Sequence, residues 1–497
     1  MVLSSQTEEL IPGLTLSPGI LDIYNEEVIR ASGDARSLPP DLHEPGQLFA
    51  FIEWLQGKSQ YSVTGLPRYM EAVYWERNEL QESMPEVQDG ELGAFALWAE
   101  LHGRRESSNI LLLGHKISTH GVVQAGGRVS DGVDVIGMFN AEDGIGQSGR
   151  LLVESLRSCN TPVSTVTYRK TESRQGSKYL SDDVGRYKVV ISAVNAELTE
   201  PVQKKLGSDF FQDTYKIGQW FWELETAPSW YKDAYKFVDE LWAPTEFIKE
   251  MLQRDAPRNV VITHMPLSLQ TPKVDTSFSR TDFGLDGRFL FLFVFDFRSV
   301  MKRKNPLGLV AAFRRAFQQN EGPVLVIKCV NGEKRSAEFS ELLSAVKGID
   351  DIVVINEYFE AEKSAALMNL CDCYVSLHRS EGLGLTIAEA MLLGKPVIAT
   401  GYSGNLDFMS PDTSYMVPWK RVKVGKGAEA YSSRATWAEP NIDVAAEMMR
   451  SVYENPEQAR AKALSVQQDL EQRFTHEIVG ARMKARLQEI WETFDGE

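Results

Sequence analysis

SEGLGLTIAEAMLLGKPVIAT, residues 380–400, reads as a loop, a helix and a buried strand. Glu381 and Glu389 stand with seven residues between them. Gly382 and Gly384 flank Leu383, so the backbone there can approach a ligand closely. The stretch from Leu385 to Leu393 is rich in Leu, Ala, Glu and Met and predicts a helix, which Gly394 closes and Pro396 cannot continue. PVIAT then predicts a strand buried on both faces. A helix start offers unpaired N–H groups and the positive end of a dipole, a seat for a phosphate. Glu381 lies just before that end, where its carboxylate can accept from sugar hydroxyls. Glu389 lies about a turn further in and faces elsewhere, where it could hold a ribose.

Working outward, the preceding strand is CYVSLH, and before it strands and helices alternate from RFLFLFVFDF onward, the pattern of a doubly wound α/β half. FDFRSVMKRKNPLGLVAAF, residues 295–313, follows the first of these strands. Arg298 leaves the strand and Lys304 opens the next helix. Two cations there suit an anionic ligand: Arg grips oxygens bidentately, whereas Lys acts as a point charge. INEYF, residues 355–359, ends another strand at the edge where α/β sheets bind ligands, which makes Glu357 and Tyr358 candidates.

A second alternating series begins near Val133. VDVIGMF is a strand, and Gly144-Ile-Gly146-Gln-Ser-Gly149 opens the helix after it. That loop also fits the dinucleotide fingerprint, with Arg169 and Lys170 placed for a 2′-phosphate, so a nicotinamide-dependent enzyme stays open. ISAVNAE and GQWFWELETAPSW end strands on the same edge, and Asn195, Glu197, Trp222 and Glu223 are candidates for an acceptor sugar.

The glutamate pair, the glycines, the helix and the basic pair together resemble the donor site of retaining glycosyltransferases of family 4, over some 365 residues from about 131 to the C-terminus. The resemblance implies a GT-B fold, two Rossmann-like domains facing across a cleft. It implies catalytic roles for Glu381, Arg298 and Lys304. Glu381 would meet the donor sugar, Glu389 the ribose, and the backbone of Gly382, Leu383, Gly384 and Leu385 the diphosphate. Gly144 and Gly146 would face the donor phosphates, and Glu357 and Tyr358 the base. Two fixed cations would stabilise the leaving diphosphate without a metal, and no cofactor beyond the nucleoside diphosphate sugar is implied. Many family members carry a histidine near the sugar in the first half; His264 comes too late in the chain, and this departure leaves the sugar open. A nucleotide-sugar epimerase, and a catalytically silent binding subunit docking through its N-terminal helices, are the other readings.

The chain has 497 residues, enough for two large domains. Three parts are expected: a lead-in and helical accessory unit over 1–130, an acceptor domain over 131–270 completed by a last helix at about 475–497, and a donor domain over 271–474. Within the first part, residues 1–46 read as irregular, and QLFAFIEWLQ, LPRYMEAVYWERNELQ and ELGAFALWAELHGRR as helices. A net charge of −16 argues against a partner bound by broad phosphate neutralisation, so no nucleic acid is expected. Four scattered cysteines make no disulfide framework and no metal spacing. With no secretory signal and no apolar run long enough for a bilayer, a cytoplasmic location is expected, leaving room for peripheral membrane contact. The expected partners are a nucleotide-sugar donor, a glycan, glycolipid or small-molecule acceptor, and a protein at the N-terminal helices.

Overall fold

The structure, a computed structural model, describes residues 18–30, 39, 51, 54–55, 68–83 and 128–495, apart from 178, 180, 183–184 and 429. The chain divides into two units, residues 1–122 and 123–497. In the first, Pro18–Arg30 is a helix, which corrects the irregular reading of residues 1–46. Its Pro occupies the first turn, where a missing N–H costs nothing. Ile20, Leu21 and Tyr24 fall on one side and join Phe51, Leu55 and Ala72 in a small core. A buried ion pair, Arg68 to Glu27 at 2.7 Å, ties that helix to Arg68–Glu76. The expected helix over 91–105 lies outside the described residues.

The second unit holds two six-stranded sheets. The first comprises β1 (Val129–Gly137), β2 (Val163–Thr167), β3 (Tyr187–Ala193), β4 (Tyr215–Gly218), β5 (Glu240–Ala243) and β6 (Val261–His264). Its order is 2-1-3-4-5-6, and every pair is parallel. The second comprises β7 (Leu290–Asp296), β8 (Val324–Val330), β9 (Ile352–Asn356), β10 (Cys373–Ser376), β11 (Val397–Thr400) and β12 (Tyr415–Val417). Its order is 12-11-10-7-8-9, again all parallel. Such sheets need helices on both faces, and their central strands are correspondingly apolar and buried, as in LFLFVFD and VLVIKCV. Strand order reverses between β7 and β10, which opens a crevice beyond their carboxyl ends.

The His476–Asp495 helix packs against the Gly144–Ser158 helix of the first half. Gly480 makes the approach: a Cβ there would fall 1.9 Å from the Ser155 carbonyl oxygen. Arg486 completes the junction with an ion pair to buried Glu240 at 2.8 Å. The Gly/Lys/Ser stretch 424–435 connects the two strands of an antiparallel hairpin, β13 (Trp419–Lys423) with β14 (Thr436–Pro440).

Candidate active site

The loop after β7 is held in one unusual conformation. Val300, a β-branched residue, sits at φ +62° and ψ +101°, a strained position of the kind that clusters where function overrides local preference. Asn305 closes the turn in the left-handed region, which Asn tolerates, and its side-chain oxygen accepts from Gly308 N–H while Pro306 opens the next helix. Its amide nitrogen donates to the Leu377 carbonyl at 2.8 Å, pinning the loop to the end of β10.

That pinning brings Arg303 and Lys304 onto Glu381. Lys304 Nζ lies 2.6 Å from Glu381 Oε1, and Arg303 Nη1 3.0 Å from Oε2. All three groups are withdrawn from water. Burial alone would push the Glu381 carboxyl up, but the Lys304 ammonium and the Arg303 guanidinium hold it at about 2. Relative to an ordinary value of 4.5, the group therefore stabilises the fold above that pH, and the contribution is lost as pH falls toward 2. Burial pushes Lys304 down while Glu381 opposes it. Arg303, which sequence alone cannot tell from its neighbours Lys302 and Lys304, is the second cation of the cluster. It also donates to the Ser380 carbonyl at 2.9 Å and stands 3.6 Å from Glu223 of the first half.

The loop after β11 supports Glu381 from below. Ser403 Oγ accepts the Glu381 N–H at 2.8 Å, and Gly404 N–H donates to the Glu381 carbonyl at 3.0 Å. Buried His378 lies between Ser376 and Asn405, and burial keeps its pKa low. Gly384 takes φ +92° and leads into the Leu385–Leu392 helix, whose start no side chain caps. Glu389 is half-buried on that helix, with no ion pair among the described residues, and burial pushes its carboxyl to about 7.

Gly144 and Gly146 play different parts. A Cβ on Gly144 would meet Leu385 at 3.9 Å, so the two helix starts face each other across the seam. A Cβ on Gly146 would fall 2.4 Å from the Ala141 carbonyl oxygen and 2.8 Å from that of Met138, so this glycine serves the tight turn itself. Gly146→Ala is expected to destabilise by about 1–3 kcal/mol, whereas Gly144→Ala is expected to leave the unfolding temperature unchanged. Thermal unfolding of the two variants checks the contrast. Gly382 donates no space either: it packs near Phe221 and Ile248, and its carbonyl accepts from Thr245 Oγ1 at 3.0 Å.

The other candidates lie along the same seam. Arg298 is half-buried; its guanidinium donates to the Glu172 carbonyl at 2.5 Å and makes no ion pair among the described residues. Tyr358 is 40 % exposed, bonds Asn331 Oδ1 at 2.9 Å and lies beneath the Arg174 guanidinium. Glu357 is exposed, and its carbonyl accepts from Lys328 Nζ. Leu383 is buried and Leu385 half-buried. Asn195 spends its oxygen on the Phe221 N–H at 3.0 Å, and Glu197 is exposed. Trp222 is 8 % exposed, and its indole N–H donates to the Thr226 carbonyl, so the ring belongs to a core cluster. No group of His, Cys, Asp and Glu that could hold a metal occurs among the described residues, nor any helix long and apolar enough to cross a membrane.

Residues 278–463 match the family Glycosyl transferases group 1. No curated protein matches the chain. Among solved structures, the chain is similar to sucrose-phosphate synthase from Thermosynechococcus elongatus, with a TM-score of 0.54 and 14 % identity over 73 % of this chain and 100 % of that one. HepE of Anabaena, solved with UDP-glucose, gives 0.52 and 12 % over 72 % and 99 %. A glycosyltransferase from Rickettsia africae gives 0.52 and 11 % over 73 % and 99 %. The fold is GT-B, with a helical N-terminal part. The segment 278–463, which holds every residue of the Glu381 cluster on the second half, is a glycosyltransferase group 1 domain. The fold is thus the GT-B fold, and the segment that matches the glycosyltransferase family model is its second half.

Proposed function

We propose that the protein is a retaining glycosyltransferase moving a sugar from a nucleoside diphosphate sugar to an acceptor hydroxyl, in the synthesis of a glycan, polysaccharide or glycolipid. The observation that carries this is the placement of Arg303, Lys304 and Glu381 beside the uncapped Leu385–Leu392 helix, at the reversal of strand order. The Arg303–Lys304–Glu381–Glu223 cluster balances two cations against two carboxylates. Arg298, outside it, makes no ion pair among the described residues, and so is the cation best able to meet an incoming diphosphate.

As the glycosidic bond breaks, the leaving diphosphate gains negative charge. Lys304 and Arg298 stabilise that charge from fixed positions, and the helix start adds its unpaired N–H groups. No metal is needed for this step. Glu381 takes hydroxyls of the donor sugar, and Glu389 those of the ribose. The acceptor enters from the first half, past Asn195, Glu197 and Glu223, with Trp222 packed behind them. The leaving phosphate takes the acceptor proton, on the face the sugar leaves, so configuration is kept. HepE holds UDP-glucose, which makes UDP-glucose the first donor to try. Incubation with UDP-, GDP- and ADP-sugars in EDTA should release one nucleoside diphosphate; release from none would overturn the reading.

Glu389 supplies a pH test. Ribose hydroxyls bind the ionised carboxylate, whereas the empty site favours the protonated form up to about 7. Nucleoside diphosphate affinity is therefore expected to rise as pH climbs toward 7 and to level off above it. In Glu389→Gln that component disappears and affinity drops about tenfold, the effect of one charge-assisted bond. The same raised pKa makes wild-type stability fall as pH rises from 4.5 through 7, a slope Glu389→Gln should lack. Calorimetric titrations and unfolding curves across pH check both.

A further inference from the structure

The hairpin of β13 and β14 carries a loop that does not stay with its own half. Val424, Ala428, Tyr431 and Trp437 join Trp220, Trp222 and Tyr231 of the first half in one buried cluster. Tyr431 packs its ring 5.2 Å from Trp222, edge to face. Its hydroxyl donates to Glu223 Oε2 at 2.8 Å. The other oxygen of Glu223 faces Arg303 at 3.6 Å, and the Glu223 carbonyl accepts from Ser380 Oγ. Beside it, Glu225 is bound by Arg421 of β13 at 2.6 Å and by Tyr402 at 3.0 Å. A short first-half segment, Glu223 to Glu225, is thus held at both carboxylates by the second half.

The Tyr431–Glu223 bond is short and part-buried, the Arg303–Glu223 ion pair is longer, and the Arg421–Glu225 pair lies toward solvent. Tyr431 and Arg303 are both buried, so a Glu223 freed from either would keep a charge at the seam without its partner. The Tyr431 hydroxyl holds one oxygen of Glu223, and the other oxygen faces the guanidinium that grips Glu381. The acceptor-side carboxylate and the donor-side carboxylate then share one cation.

We infer that Tyr431 is a positioning residue that acts through Glu223 and Arg303, and that the Trp419–Pro440 hairpin is the clasp that joins the acceptor-side loop to the donor site. The functional half of this inference rests on the transferase reading above; the clasp itself does not.

The test uses the full chain and three variants, Tyr431→Phe, Glu223→Ala and the double variant. Tyr431→Phe keeps the ring in the cluster and removes only the hydroxyl. In donor hydrolysis with UDP-glucose, or whichever nucleotide sugar the wild type cleaves, kcat should fall about tenfold, with KM for the donor within about twofold. In the Glu223→Ala background the same change should cost nothing further, because the hydroxyl acts only through that carboxylate. Additive losses, or a raised KM with unchanged kcat, would make Tyr431 a packing residue and overturn the inference. Amide exchange of residues 220–226 is read in parallel, since it needs no substrate. It should quicken about tenfold in Tyr431→Phe while the Leu385–Leu392 helix stays protected; unchanged exchange would remove the clasp. If the wild type cleaves no nucleotide sugar, the transferase reading fails, and the exchange experiment alone still decides the clasp.

Discussion

Lys304→Ala is expected to lower kcat for sugar transfer by about 10²- to 10³-fold, the loss typical when one preorganised electrostatic group is removed from a developing charge. Lys304 is the ammonium nearest Glu381, at 2.6 Å, and it emerges from the turn that Val300 and Asn305 hold rigid. The substitution leaves Glu381 with Arg303 at 3.0 Å, so the carboxylate keeps one partner and the fold should survive. Nucleoside diphosphate affinity should fall much less than kcat, because Arg298 and the helix start remain. Steady-state kinetics beside a calorimetric titration separates the two effects. An equal loss in both would make Lys304 a binding group rather than one that acts on the departing charge.

Arg303→Met is expected to act on stability instead, by about 3–5 kcal/mol, the range for breaking a buried ion pair from one side. Arg303 is 4 % exposed and serves two carboxylates and two carbonyls, those of Ser299 and Ser380. Without it, Glu381 relies on Lys304 alone and Glu223 on Tyr431 alone. The loss should be full above the ordinary carboxylate pKa of 4.5 and shrink as pH falls toward 2, where wild-type Glu381 becomes protonated too. Urea unfolding on both sides of that range measures it. A pH-independent loss would mean that lost packing, and not the stranded charges, dominates.

The legible parts of this molecule are those that local rules settle. Gly384 in the left-handed region, the helix from Leu385 and the apolar β10 and β11 follow from spacing and residue type. So does the alternation that builds both sheets. The sequence does not separate Arg303 from Lys302 and Lys304, for a physical reason. In KRK the three cations are equivalent in sequence, and which of them turns inward depends on Val300 taking a positive φ that its own side chain disfavours. The division between Gly144 and Gly146 is equally hidden, because one faces Leu385 from a distant segment and the other its own turn. The hairpin of β13 and β14 is likewise hidden, because its strands are held by cross-strand pairing and by aromatics of the distant first half. The Pro18–Arg30 helix was obscured by the Pro and Gly at its start, which suit a first turn as well as a loop.

Glu381, Lys304, Arg298 and Glu389 are proposed to build one nucleoside diphosphate site. Calorimetric titration of the full chain with UDP, GDP, ADP and NADPH in EDTA, repeated on Glu389→Ala, tests it most directly. One nucleoside diphosphate is expected to bind with about micromolar affinity in the presence of EDTA and about tenfold more weakly to the variant. Binding of NADPH alone, unchanged in Glu389→Ala, would contradict it and move the site to the glycine loop at Gly144.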